Sequence, residues 1–270
     1  SPRWLVTQGR VEEAEAIVRN IEDTVKLSEG LPSLPEPEGS LTLSPRTHSG
    51  FATVARELLR TYPTRTVLGL SLMVSQSFLY NAIFFTFAIV LEKFYAVPAG
   101  RVGLYIIPFA VVNFLGPLLL GRFFDTVGRK PMIALTYGLS GILLAVTGYL
   151  FSQGYLTAVT QTVAWSAVFF FASAGASSAY LTVSEIFPME IRAMAIALFF
   201  VVAQGAATVA PWLFGALIEA SPMGVLYSNL IGAGLMMAGA VAAMVFGVKA
   251  ERQALEHVAS PLSARNDREV

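Results

Sequence analysis

Residues 121–131, GRFFDTVGRKP, bring Arg122, Asp125, Arg129 and Lys130 into eleven positions of a chain that is otherwise sparing with charge. A carboxylate flanked by guanidinium groups at helical spacing can form ion pairs and can change partners between two conformations. Plain electrostatic anchoring at a membrane surface is the alternative for the same four charges. A second group, Glu185 and Arg192 in SEIFPMEIR (184–192), again sets a carboxylate near a basic residue at the end of an apolar run. A third set is polar but uncharged: Gln76, Tyr80, Asn81, Asn113, Tyr180 and Gln204 interrupt long apolar stretches. Amides and phenols there can hydrogen-bond a polar ligand in a cavity, or bridge neighbouring helices.

Other chemistries are excluded by what the chain lacks. It has no cysteine, and its only histidines, His48 and His257, lie outside every apolar run. A membrane-embedded serine–histidine pair, a histidine-held haem and a cysteine or histidine metal site are therefore not expected, nor is any cofactor. No apolar run holds two acidic residues, which argues against an aspartyl-type membrane protease. The 18 basic and 18 acidic groups cancel, so no excess of positive charge points to nucleic acid. A channel or a structural membrane protein is the rival class, without a charge ring or filter-like sequence to support it.

The elements that must position these residues follow from composition. With 55% hydrophobic and 13% charged residues and a mean hydropathy of +0.63, the 270 residues read as an all-α membrane protein. A spanning helix needs about 20 apolar residues. Uncharged runs cover 66–91, 102–121, 131–184, 193–218 and 220–248, and the third divides at the polar SQGY (152–155). Six spans are expected near 66–91, 102–121, 131–151, 157–184, 193–218 and 223–248. Alternating the connections places 16 of the 18 basic residues on one side and only Lys93 and Arg101 on the other. Both termini are expected to be cytoplasmic.

Residues 1–65 form a different region, and 249–270 a polar tail. Val11, Ala14, Val18, Ile21 and Val25 recur at helical spacing, predicting an amphipathic helix over 11–25. The proline-rich stretch predicts a disordered linker over 27–49, and Phe51–Tyr62 a short interfacial helix with Arg56 and Arg60 at lipid headgroups. Residues 1–65 do not read as a signal or transit peptide, and a chain that starts without methionine reads as a piece of something longer.

Gly121, Arg122, Asp125, Gly128, Arg129 and Lys130 fill the pattern G-R-x-x-D-x-x-G-R-K, which resembles the signature loop of the major facilitator superfamily. It falls, as in that family, between the second and third spans of a six-helix half. Glu185, Phe187, Pro188 and Arg192 resemble the E-x-F-P-x-x-x-R element of its sugar-porter-type members. The opening SPRWLVTQGRVEEA, with Ser1, Pro2 and Arg3, is similar to the stretch that follows the sixth helix of such transporters. The resemblance implies one six-helix half of a twelve-helix secondary transporter, with the N-terminal half as its missing partner. It implies a cytoplasmic gate made by Glu185, Arg192, Arg122, Asp125 and Arg129, the two glycines allowing a tight reversal. It also implies a small polar metabolite, a sugar or an organic acid, moved across the plasma membrane by alternating access, with proton symport the family habit. Such a half should not transport alone.

The candidate substrate residues match in part. In the first span Gln76, Asn81 and Phe84 keep positions of the family's Q-Q-x-x-G-x-N-x-x-F-Y, while Ser75 and Leu79 depart from it. Asn113, sixteen residues before Arg129, matches the spacing of a sugar-contacting asparagine. Gln204 lies near another asparagine position. In place of the family's G-P-x-P-W the fourth span reads ASSAY, with Tyr180 where the tryptophan stands. The expected P-E-T-K-G after the last span is replaced by GVKAERQALE.

Overall fold

The computed structural model describes residues 2–34, 50–221, 223–248 and 259, with only the backbone of Arg3 and Thr7. His48, His257, most of the predicted linker and nearly all of the polar tail lie outside the described residues, as does the Arg3 side chain. The described chain is helical throughout: α1 (Pro2–Thr7), α2 (Val11–Glu29), α3 (Phe51–Arg60), α4 (Pro63–Tyr95), α5 (Ala99–Thr126), α6 (Arg129–Ser152), α7 (Ala158–Glu185), α8 (Met189–Ala220) and α9 (Gly224–Phe246). The last six are each long and apolar enough to span a bilayer.

Helix ends account for most differences from the predicted boundaries. The spans run past the uncharged cores, because Arg65, Lys93, Arg122 and Glu185 continue helices beyond the apolar stretch. Helix α2 reaches Glu29 instead of ending at Val25, so residues 27–29 are helical and not linker. Polar residues sustain that last turn until Gly30 adopts a left-handed conformation (φ 62°) and its N–H closes on the Lys26 carbonyl. The α5–α6 reversal takes only Val127 and Gly128, and Gly128 has φ 114° and ψ 148°, a backbone suited to glycine alone. Gly121 is different: it sits inside α5, where an added Cβ would meet nothing within 4 Å. The reversal therefore needs one motif glycine, not two.

The spans pack mainly as α6 on α9, α4 on α8 and α5 on α7, with α4 also touching α7 and α9. Small residues allow these close approaches. Tyr137 of α6 is fully buried against Gly175 of α7 and Gly239 of α9, and its hydroxyl donates to the Leu72 carbonyl of α4 at 2.9 Å. Four helices meet at that one side chain. By contrast α5 leaves Leu104, Ile107, Val111, Phe114 and Leu118 exposed. Pro108, Pro117 and Pro211 are accommodated within continuous helices. Helix α3 seats Val54 and Leu58 against the bundle, and the Thr66 hydroxyl donates to the Leu58 carbonyl at 2.8 Å.

Candidate functional site

One end of the bundle gathers the charged motifs. Arg129 is the first residue of α6 and Glu185 the last of α7, and the Arg129 guanidinium is ion-paired and hydrogen-bonded with the Glu185 carboxylate. Both side chains are largely shielded, 12% and 21% exposed, so the pair is less weakened by solvent than an ordinary surface bridge. Asp125, one turn before Arg129, is 62% exposed and reaches the same guanidinium at 4.0 Å. Arg129 thus bridges a sheltered partner and an open one.

The other motif residues hold the frame. Arg192 donates through Nε and Nη2 to the Phe187 carbonyl at 3.2 and 3.1 Å. Arg122 lies over the Phe123 ring, 4.9 Å from its centroid. The Lys130 stem packs beside Gly247, just past α9. Phe187 is fully buried between Tyr62 and Phe199, at ring-centroid distances of 6.1 and 5.6 Å, and Pro188 is the N-cap residue of α8. Arg65 at the start of α4 donates to the Ile186 carbonyl and stacks on Tyr62. The loop between α7 and α8 is therefore tied at two successive carbonyls by two arginines. Counting Arg65 only as a cytoplasmic charge misses this role, and no spacing in the sequence signals it. Burial at the foot of the bundle raises the Tyr62 phenol above its ordinary pKa, the nearby Arg65 opposing that shift. A recess of about 210 Å³ between α5 and α7 adjoins the pair, lined in part by Asp125, Arg129, Ser177 and Ser178.

The polar residues of the spans fall into two groups. Tyr80 of α4 donates to Asn113 Oδ1 of α5 at 2.7 Å. Gln76, one turn earlier on α4, is 5% exposed, and among the described residues neither end of its amide has a well-formed hydrogen bond. Asn81 and Gln204 face a separate open recess of about 300 Å³, shared with Phe85, Ala207, Thr208 and Pro211. Asn81 Nδ2 donates to the Ser77 carbonyl, and the Thr208 hydroxyl to the Gln204 carbonyl, both at 2.9 Å. Tyr180 is exposed on α7, and no hydrogen bond among the described residues joins it to the other five. Phe85 and Thr208 were not legible as lining residues, since phenylalanine and threonine recur all along these apolar helices.

A family model described as sugar (and other) transporter matches residues 1–261. The chain belongs to that family. It is a multi-pass membrane protein of the major facilitator superfamily, and its family is one of transporters. The two regions have distinct chemistry: ion pairs at one end of the bundle, and neutral amides and phenols within the spans. The charged side chains of its six spans, among the described residues, all sit toward helix ends.

Proposed function

We propose that the chain is the C-terminal six-helix half of a secondary transporter in the plasma membrane that moves a neutral, polyhydroxylated metabolite. Substrate binds between this half and an N-terminal six-helix partner, near mid-bilayer, and access alternates as the halves rock. The observation that carries this is the union of the two motifs in one ion pair, Arg129 with Glu185, 56 residues apart in sequence, at the end opposite Lys93 and Glu219. That end is cytoplasmic, because the basic residues concentrate there. Arg129, Glu185 and Asp125 form the gate, with Arg122, Arg192, Lys130, Gly121, Gly128 and Arg3 in its frame. Gln76, Tyr80, Asn81, Asn113, Tyr180 and Gln204 are this half's share of the cavity wall.

A neutral substrate is favoured over an organic acid by charge placement. A carboxylate at mid-depth needs a cationic partner, and the described spans offer only amides, hydroxyls and aromatic rings there, so an organic acid would have to draw its cation wholly from the partner half. Likewise their carboxylates lie at helix ends, so a proton-coupled cycle would keep its proton-carrying acid in the partner half. The test is uptake by the full-length transporter in proteoliposomes of D-glucose against D-gluconate, the same carbon skeleton without and with a charge. Saturable glucose uptake that gluconate does not match supports the reading, whereas preferential gluconate uptake, or uptake of neither, overturns it.

A further inference from the structure

We infer that Tyr80 is a lid: its hydroxyl occupies Asn113 and its ring covers Gln76, so that a ligand enters this part of the site only by displacing it. This rests on the reading of the amide face as cavity wall. Gln76 and Tyr80 are four residues apart on α4 and therefore share one face. A helical side chain lies back over the turn preceding its own Cα, which lays Tyr80 over the turn of Gln76. The ring is held there by Phe169, 4.7 Å between centroids, and the hydroxyl by Asn113 Oδ1 at 2.7 Å. That hydroxyl lies within hydrogen-bonding reach of Gln76 and Ser173, without a well-formed bond to the Gln76 amide. Yet among the described residues the Gln76 amide, 95% removed from solvent, has no well-formed hydrogen bond at either end.

A buried amide with both ends unpartnered is an unfavourable arrangement that a suitable partner relieves. In the closed site Tyr80 satisfies Asn113 and withholds Gln76, and both amides become available once the phenol swings away. The displacing ligand must donate to Asn113 Oδ1 in place of the phenol, and must both donate to and accept from Gln76. Adjacent hydroxyl groups on a small neutral molecule meet all three demands, because each hydroxyl donates and accepts. Tyr80 thereby sets specificity: a ligand without a donor hydroxyl cannot compete for Asn113. The sign is diagnostic, since loss of a ligand-binding hydroxyl weakens a site and loss of a competing one opens it.

The cysteine-free chain permits a test that needs no known substrate. Gln76→Cys becomes the sole thiol of these 270 residues, and its reaction with the membrane-impermeant 2-(trimethylammonium)ethyl methanethiosulfonate is followed in membranes carrying the full-length transporter, with the Gln76 parent as the blank. With Tyr80 in place labelling should be slow. Tyr80→Phe, and separately Asn113→Ala, should speed it about 2- to 10-fold, the range that one neutral hydrogen bond covers. Gln204→Cys, on the exposed part of the same half, is the control. If Gln204→Cys labels and Tyr80→Phe leaves Gln76→Cys unchanged, the lid is overturned while the cavity reading stands. If Gln204→Cys resists a membrane-impermeant reagent, the cavity reading falls and the lid with it. Should Gln76→Cys not fold, the near-isosteric Ser173→Cys beside the same hydroxyl reports the same opening, and an unchanged rate there overturns the lid equally.

Discussion

Arg129 at the first position of α6 is paired with Glu185 at the last position of α7, while Asp125, a turn away, reaches the same guanidinium from the open side at 4.0 Å. Removing either partner of the sheltered pair leaves a partly buried charge without its counter-ion, the costly half of the asymmetry of ion-pair mutations. Glu185→Gln and Arg129→Gln should each destabilise the protein by about 1–3 kcal/mol, less than a fully buried pair because both side chains keep some solvent. The double variant should cost less than the sum, with a coupling of about 1–2 kcal/mol. Denaturation of the purified chain in detergent measures all three, and additive costs would separate the two residues.

The two motif glycines should respond in opposite ways. Gly128 has φ 114° with ψ 148°, so Gly128→Ala strains the backbone and should cost about 1–3 kcal/mol. Gly121 is helical, with open space where a Cβ would stand, and Gly121→Ala should be neutral or stabilise by up to about 1 kcal/mol. Melting temperatures of the two variants decide it. A loss at Gly121 equal to that at Gly128 would restore the two-glycine reversal.

The spans could be read from the sequence because burying charge in lipid is costly enough to leave long uncharged gaps. Their ends could not, since Arg65, Lys93 and Glu185 continue helices past the apolar core. The Arg129–Glu185 pair was legible where spelling and spacing coincide, although its role as a gate is a proposal. Arg65 was not, because its partner is the backbone carbonyl of Ile186, 121 residues away, which leaves no mark on side-chain pattern. Within the spans, residues are apolar on every face, so periodicity does not separate a cavity-lining Thr208 from a threonine bonded only within its own helix, such as Thr86. The amides stood out only as polar atoms in an apolar run, and nothing in spacing distinguished the buried Gln76 from the open Gln204.

Tyr137 supplies a test of the bundle's packing. Its hydroxyl bonds the Leu72 carbonyl, and its ring lies where a Cβ on Gly239 would come within 2.7 Å. Tyr137→Phe removes one buried hydrogen bond and should cost about 1 kcal/mol. Gly239→Ala pushes the ring from its slot and should cost about 1–3 kcal/mol through overpacking. Because both act on one side chain, the double variant should recover part of the second penalty, the phenyl ring being free to shift once its hydroxyl is gone. Strict additivity in thermal unfolding would show that the ring does not move.

Phe187 gives the sharpest contrast between packing and charge at the same end of the molecule. It is fully buried against Tyr62 and Phe199, and the adjoining carbonyls are held by Arg65 and Arg192. Phe187→Ala would leave a cavity beside Tyr62 and Phe199 and should cost about 3–5 kcal/mol, whereas Phe187→Leu keeps much of the volume and should cost less than half as much. Added salt should leave both penalties unchanged, because they arise from apolar contact. The Glu185→Gln penalty, in which Coulomb attraction has a part, should shrink as salt rises. Unfolding of the three variants at low and high ionic strength separates the contributions, and a salt-sensitive Phe187→Ala penalty would show that the ring acts by positioning the Arg129–Glu185 pair.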